Sequence, residues 1–479
     1  MQRRVNSTVL SRRDFLSAAA AGGSLVAIRP ALGVQMPAPS QSPSGVRAGD
    51  WPMIGFDLHN TRFNPHEATI SRESVARLKV KWTFELARDF IQSTPVAVGD
   101  AVYFSSYDGH IYAADAQTGK LKWKFNAWDL RPDEPQPDLR PPAARGEMRG
   151  SAFFENGRVY FGSGTGKVHC LDAATGREIW GTPLDPDARQ NASHVSASPL
   201  VYQGKVFIGI ASGRSQIVCL DAGTGAVRWR FYNVPGVPTG GGSVWTAPAI
   251  DTAQNIVYSV TGNPKAFPSG PLLFTESILA HDLDSGELLW FHQVRQRDPF
   301  DLDFNTHPLI FDTSHPYQRG LTLRRCVGAG TKAGGFHVFD RYTGALYWSS
   351  MPTNSGLALN AVAYAYDKIY LVSNSSARHR PALSVTVALH PYTGETLWWT
   401  PNSSNSQNTI AVANRLLFQG MMDGALQALD VETGEPLWTH KLPGPRQGGI
   451  SVAQGTVYTS SGNQSKPPHV LYAFSVDGK

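Results

Sequence analysis

Between residues 298 and 305 the chain reads Asp-Pro-Phe-Asp-Leu-Asp-Phe-Asn. The carboxylates of Asp298, Asp301 and Asp303 stand at i, i+3 and i+5, a spacing that lets them gather around a hard cation, which takes oxygen ligands. A solvated acidic loop has the same composition. Further upstream, Gly240-Gly241-Gly242-Ser243-Val244-Trp245 sets an aromatic ring behind three glycines. Without side chains there, the backbone can come close to something flat lying on the indole; a glycine turn beside a core tryptophan accounts for the residues equally well. Generic enzyme signatures are missing: there is no Gly-x-Ser-x-Gly elbow, no His-Glu-x-x-His and no P-loop, and Gly328-Ala329-Gly330 lacks the spacing of a dinucleotide fingerprint. Cys170, Cys219 and Cys326 are scattered without a Cys-x-x-Cys pair, which excludes a zinc knuckle, a disulfide framework and a Cys-x-x-Cys-His haem attachment. Redox chemistry on this chain needs a different cofactor.

The elements that must position these residues are written in a repeat, Asp-x-x-(Thr/Ser)-Gly-x-x-x-Trp. It occurs at Asp115–Trp123, Asp172–Trp180, Asp221–Trp229, Asp282–Trp290, Asp340–Trp348 and Asp430–Trp438, and once led by His390 toward Trp398. Each copy follows a short alternating run such as His110-Ile111-Tyr112-Ala113-Ala114, so the unit is strand, tight turn, strand. Successive tryptophans are 40 to 61 residues apart, a loose period typical of four-stranded propeller blades with loop insertions. Tyr472-Ala473-Phe474-Ser475-Val476-Asp477-Gly478 stops after the turn, whereas Lys79-Val80-Lys81-Trp82 supplies a Trp strand with no turn before it. Joining the two completes an eighth unit. The expectation is an all-β, eight-bladed propeller over residues 51–479, closed by its terminal strands, with the repeated tryptophans packed between blades.

The formal net charge is +5, and most of it lies in Arg3, Arg4, Arg12, Arg13 and Arg29. The rest is near neutral, which argues against a nucleic-acid or anionic-membrane surface. Ser11-Arg12-Arg13-Asp14-Phe15-Leu16, the small-residue run Ala18 to Ile28 and Ala31-Leu32-Gly33 read as a twin-arginine export signal over 1–33. Its apolar stretch is too short to span a bilayer stably. Residues 34–50 read as a Pro/Ser linker. The expected location is periplasmic or exported, with no integral membrane segment in the mature chain.

Taken together, Trp51-Pro52-Met53-Ile54-Gly55-Phe56-Asp57-Leu58-His59-Asn60-Thr61-Arg62, Ser277-Ile278-Leu279-Ala280-His281-Asp282-Leu283, Gly328-Ala329-Gly330-Thr331-Lys332-Ala333-Gly334 and Leu417-Phe418-Gln419-Gly420 resemble the pyrroloquinoline quinone (PQQ) dependent alcohol dehydrogenases, in particular the polyvinyl alcohol dehydrogenase-like branch. The resemblance spans nearly the whole mature chain. It implies PQQ stacked on Trp245, with Lys332 on its quinone oxygens and Arg149 on a carboxylate. Ser196, Ser212 and Asn360 match lesser polar contacts. Ca²⁺ or a lanthanide would be held by Asn263, Asp301 and Asp303, with Asp301 as the catalytic base. The implied partners are an alcohol substrate and an external cytochrome c or quinone that accepts electrons. The sequence departs from the family at three places. The metal-ligating Glu falls near Gly213-Arg214-Ser215, a cofactor-contacting Glu is replaced by Gln92, and Ala143-Ala144 stand where many members carry vicinal cysteines. These departures keep open an alternative, a non-catalytic PQQ-repeat propeller acting as a periplasmic binding or assembly scaffold.

Overall fold

A computed structural model describes residues 43–87, 89–127, 148–184, 195–211, 214–235, 241–264, 272–296, 298–315, 323–352, 359–374, 384–407, 410–446, 448–463 and 466–479, excepting the side chains of 359–361. The expected export signal lies outside these residues. So does the linker up to residue 42; from there Ser44 already accepts a hydrogen bond at 2.8 Å from the Asn156 amide.

The repeat folds as its alternation demands, because each turn is bonded locally. Asp115 Oδ1 accepts from the Thr118 amide (2.8 Å), the Thr118 hydroxyl (2.8 Å) and the Gln117 amide (3.1 Å), while Gly119 takes φ +70° to reverse the chain. The products are eight sheets. Numbered along the chain, blades 1 to 7 cover 96–126, 153–183, 200–232, 249–293, 309–350, 359–401 and 411–441. Blade 8 is built from Ser451–Ala453, Thr456–Asn463 and Lys466–Val476, with Leu78–Glu85 added from the other end of the chain. Thr83 pairs with Tyr472 and Phe84 with Leu471, which closes the ring as the half-repeats require.

The tryptophans join the blades. At seven joints the indole lies where the next blade's turn glycine would carry a Cβ: Trp82 against Gly119, Trp123 against Gly176, Trp180 against Gly225, Trp229 against Gly286, Trp290 against Gly344, Trp348 against Gly394 and Trp398 against Gly434. The indole nitrogen also donates into that turn, as Trp82 does to Ala116 O at 3.0 Å. At the joint between blades 7 and 8, Trp438 instead packs edge-on against Phe474, with 5.7 Å between centroids.

The segment from Trp51 to Asn64 threads the inner strands together. Its carbonyls accept from one amide in most blades: Trp51 from Ala97, Pro52 from Phe154, Leu58 from Ile250, His59 from Ile310, Thr61 from Tyr364 and Arg62 from Val412. Phe63 and Asn64 then add a short parallel strand to blade 7. The Asn60 amide nitrogen donates to Pro248 O (2.8 Å) and Pro308 O (2.9 Å), tying blades 4 and 5.

The wedges between blades are apolar, and the one between blades 3 and 4 encloses His281. Burial pushes His281 down to about 3 and His337 down to about 4, and lowers His307 well below its usual value. Unfolded, these rings take up protons near pH 6.5, so the unfolded chain binds more protons and stability falls as pH drops below that value. His281, wedged against Phe231 with 4.6 Å between centroids, should contribute a loss of roughly 2 kcal/mol between pH 6.5 and 4.5. Thermal melts of His281→Phe across that range should therefore slope less than those of the parent protein.

Candidate active site

The glycine run acts through pairing. Gly241 and Gly242 adopt φ +98° and +66°. They lie alongside the segment that follows the second strand of blade 4: Gly241 bridges to Pro264, the Gly242 amide donates to Asn263 O (3.0 Å) and the Gly262 amide to Ser243 O (2.7 Å). The chain that leads into Trp245 is thereby tied to the segment that carries Asn263. Trp245 stands five residues ahead of Ile250, the residue anchored to Leu58 O. Arg149 precedes its own anchored residue, Phe154, by the same interval, so both occupy the same rim of the ring.

On the adjoining blade 5, Phe304 bridges to Thr331 and the Lys332 amide donates to Asp303 O at 2.8 Å. That pairing brings three side chains to one point. The Lys332 ammonium lies 2.6 Å from Asp301 Oδ1 and 2.6 Å from Asp303 Oδ1, and 5.5 Å from the centre of the Trp245 ring. Asp303 Oδ2 accepts from the Asn263 amide at 3.2 Å. Gly262 is required here, because a Cβ would stand 2.7 Å from Asp303 Oδ2 and 2.5 Å from Ser243 Oγ. The carboxylates differ in setting: the Asp301 side chain is 65% exposed and that of Asp303 only 2%. Burial raises the Asp303 pKa, with Lys332 opposing it. Lys332 is raised: burial works against its charge, and the two aspartates outweigh that. Asp301 sits at φ +59°, which costs a residue with a Cβ energy and turns its carboxylate outward.

Trp245, Asn263, Asp301, Asp303 and Lys332 thus form one cluster. Arg149 belongs to a second group across blades 1 and 2, with its guanidinium 5.4 Å from the Tyr107 ring centre. The Tyr107 hydroxyl donates to Gln92 Oε1, and its ring stacks on Phe90 at 4.1 Å. Ser196 is half-buried at the start of blade 3, where its carbonyl and that of Ala197 face Gly150. Ser212 lies outside the described residues. Asn360 is placed in the strand Leu359–Ala365, but its side chain is outside the description.

This arrangement suits a planar, anionic cofactor and a hard cation. Trp245 is partly exposed beside the Lys332 ammonium, and Arg149 is an exposed cation in the second group. Asp301 and Asp303 already converge on a single cation, the Lys332 ammonium, through oxygen donors that a hard metal ion also prefers. No set of three His, Cys, Asp or Glu side chains among the described residues is grouped to hold a metal; at this point the cluster offers two carboxylates, Asp301 and Asp303.

The profile of a PQQ-repeat family described as outer membrane protein assembly factor BamB matches residues 76–244, 128–297 and 381–479. The chain belongs to the PQQ-repeat β-propeller family that includes the PQQ-dependent alcohol dehydrogenases. It is 25% identical to quinohemoprotein alcohol dehydrogenase ADH-IIG of Pseudomonas putida, across 91% of this chain and 74% of that protein. Identity to polyvinylalcohol dehydrogenase of a Pseudomonas species is also 25%, across 90% and 77%. The crystal structure of quinohemoprotein alcohol dehydrogenase from Comamonas testosteroni superimposes with a TM-score of 0.80 at 22% identity, covering 91% of this chain and 81% of that one.

Within this PQQ-repeat propeller two of the three sequence departures fall among the described residues, whereas Ala143-Ala144 lie outside them. Ser215 is buried, with its hydroxyl unpartnered, beside an exposed Arg214. Gln92 is held by Tyr107, which sequence reasoning missed because the contact joins a loop residue to one fifteen positions on. Glu276 and Arg295 were missed as well. Both are ordinary strand-end residues in the sequence, and only the pairing of blade 4 brings them beside Asp298.

Proposed function

We propose that this chain is a PQQ-dependent dehydrogenase that oxidises an alcohol to an aldehyde or ketone and passes electrons to an external cytochrome c or quinone. The observation that carries this reading is the convergence of Asp301, Asp303 and Lys332 at one point beside Trp245. Bound PQQ supplies the two-electron oxidant, and a Ca²⁺ or lanthanide ion supplies Lewis-acid polarisation. Asn263, Asp301 and Asp303 are the residues to hold that ion. Trp245 orients the planar ring by stacking, Lys332 bonds the quinone oxygens, and Arg149 pairs with a carboxylate. Asp301 takes the substrate's hydroxyl proton onto a carboxylate oxygen as general base. Its outward setting leaves it open to an entering alcohol. Three buried cysteines and no haem motif leave electron release to a separate acceptor. Export through the twin-arginine signal suits such a chain, and no helix among the described residues is long and apolar enough to cross a membrane.

A second reading has specific support. Ser215 and Gln92 remove two carboxylates from the family's site, and a scaffold that binds a protein through its ring needs neither. The two readings separate in a titration of the purified protein with PQQ plus Ca²⁺ or La³⁺, following tryptophan quenching and the reduction of a dye by a panel of alcohols. Saturable quenching with dye reduction is the expected result. Trp245→Ala should weaken PQQ binding by about 10- to 100-fold, the equivalent of roughly 1.4–2.8 kcal/mol. Absence of binding with either metal would favour the scaffold.

A further inference from the structure

Behind the cluster lies a buried group that the proposed mechanism does not use. The Glu276 side chain is fully buried, yet its backbone is left-handed at φ +51°, where a glycine would be easier. Its main chain is held on both sides, the amide by Gly262 O (3.0 Å) and the carbonyl by the Val294 amide (3.0 Å). The carboxyl faces Arg295, whose Nη1 lies 3.3 Å from Glu276 Oε2, 3.2 Å from Leu302 O and 3.9 Å from Asp298 Oδ2. Asp298, equally buried, closes the next turn: Oδ1 accepts from the Phe300 amide at 2.8 Å and Oδ2 from the Leu302 amide. Inside that turn Phe300 is 77% exposed and Asp301 is strained outward.

A strained carboxyl residue at a position open to glycine persists only if its side chain returns the cost. Here the side chain reaches the two groups, Arg295 and Asp298, that bond the backbone amides and carbonyl on either side of Asp301. The buried Glu276 carboxyl shares one arginine with a second buried carboxyl, Asp298, so a charge on Glu276 is costly. Burial and the Asp298 contact both push Glu276 up, to about 9.

We infer that Glu276 is a positioning residue that with Arg295 and Asp298 locks the 298–303 turn so that Asp301 and Asp303 meet Lys332 and Asn263. As a role in catalysis this rests on the dehydrogenase reading. The lock itself is a property of the chain without cofactor. The test compares Glu276→Ala and Glu276→Gln with the parent by amide hydrogen exchange of the cofactor-free protein and by kcat and KM with PQQ and Ca²⁺. In Glu276→Ala, exchange of the Phe300 and Leu302 amides should rise at least about 10-fold while strands of blades 1 to 3 stay protected, and kcat should fall about 10- to 100-fold with KM little changed. Glu276→Gln keeps a neutral donor toward Asp298 and should retain parental exchange and most of kcat. Unchanged exchange in Glu276→Ala overturns the lock, and a Gln variant as loose as the Ala variant overturns a role that needs no charge on Glu276. If Glu276→Ala does not fold, the Gln variant decides by the same two readings. If the parent shows no PQQ turnover, the dehydrogenase reading fails, and exchange alone still decides whether the lock exists.

Discussion

Asp301→Asn is expected to lower kcat/KM for alcohol oxidation by about 10²- to 10⁴-fold while PQQ still quenches tryptophan fluorescence with near-parental affinity. The amide keeps an oxygen where a cation would sit and nearly the same volume, but it loses the basic carboxylate and the charge that pairs with Lys332. The side chain is 65% exposed and its partner is the Lys332 ammonium at 2.6 Å, so no buried core is disturbed. Steady-state dye reduction at saturating PQQ and metal measures the effect. Turnover above a tenth of the parental value would place the base elsewhere.

The largest expected effect on the fold comes from Gly394→Val. Gly394 sits at φ +76°, and a Cβ there would stand 2.5 Å from Cε3 of Trp348. That indole also donates to Pro391 O at 3.1 Å, so it cannot withdraw without losing a hydrogen bond and opening the wedge between blades 5 and 6. Backbone strain, steric displacement and the loss of a buried bond act together, for an expected destabilisation of at least about 4 kcal/mol. Gly99→Val is the matched comparison. Gly99 has φ +61° and nothing within 4 Å of its Cβ position, so it carries the backbone cost alone. Thermal melts should place Gly394→Val well below Gly99→Val; equal melting temperatures would mean that tryptophan docking contributes little to ring cohesion.

The two substitutions divide the molecule along the line between what is local in sequence and what is not. The Asp-x-x-Thr-Gly turn is legible because its bonds lie within five residues, as Asp115 and Thr118 show. The ring closure was legible too, since a turn without a Trp strand at one end and a Trp strand without a turn at the other have only one way to complete each other, and Leu78–Glu85 does pair with the last strand. The grouping of Trp245, Asn263, Asp301, Asp303 and Lys332 was reached through resemblance to a family; nothing in their spacing places Lys332 against Asp301, thirty-one residues away.

By itself, then, the sequence determined the repeating strand-turn-strand unit, the number of blades and the residue types available for chemistry, because periodicity and turn bonding are short-range. Tertiary structure alone decided that Trp51 to Asn64 threads the inner strands of most blades, that Gln92 belongs to Tyr107 and Arg149 stands over the same ring, and that Glu276 and Arg295 stand behind Asp298. Those contacts arise where separate blades, or separate strands of one blade, arrive at the same place. The reason is geometric: a ring fixes its neighbours only once it has closed, and the side chains at its rim acquire partners from chain segments with no local relation to them.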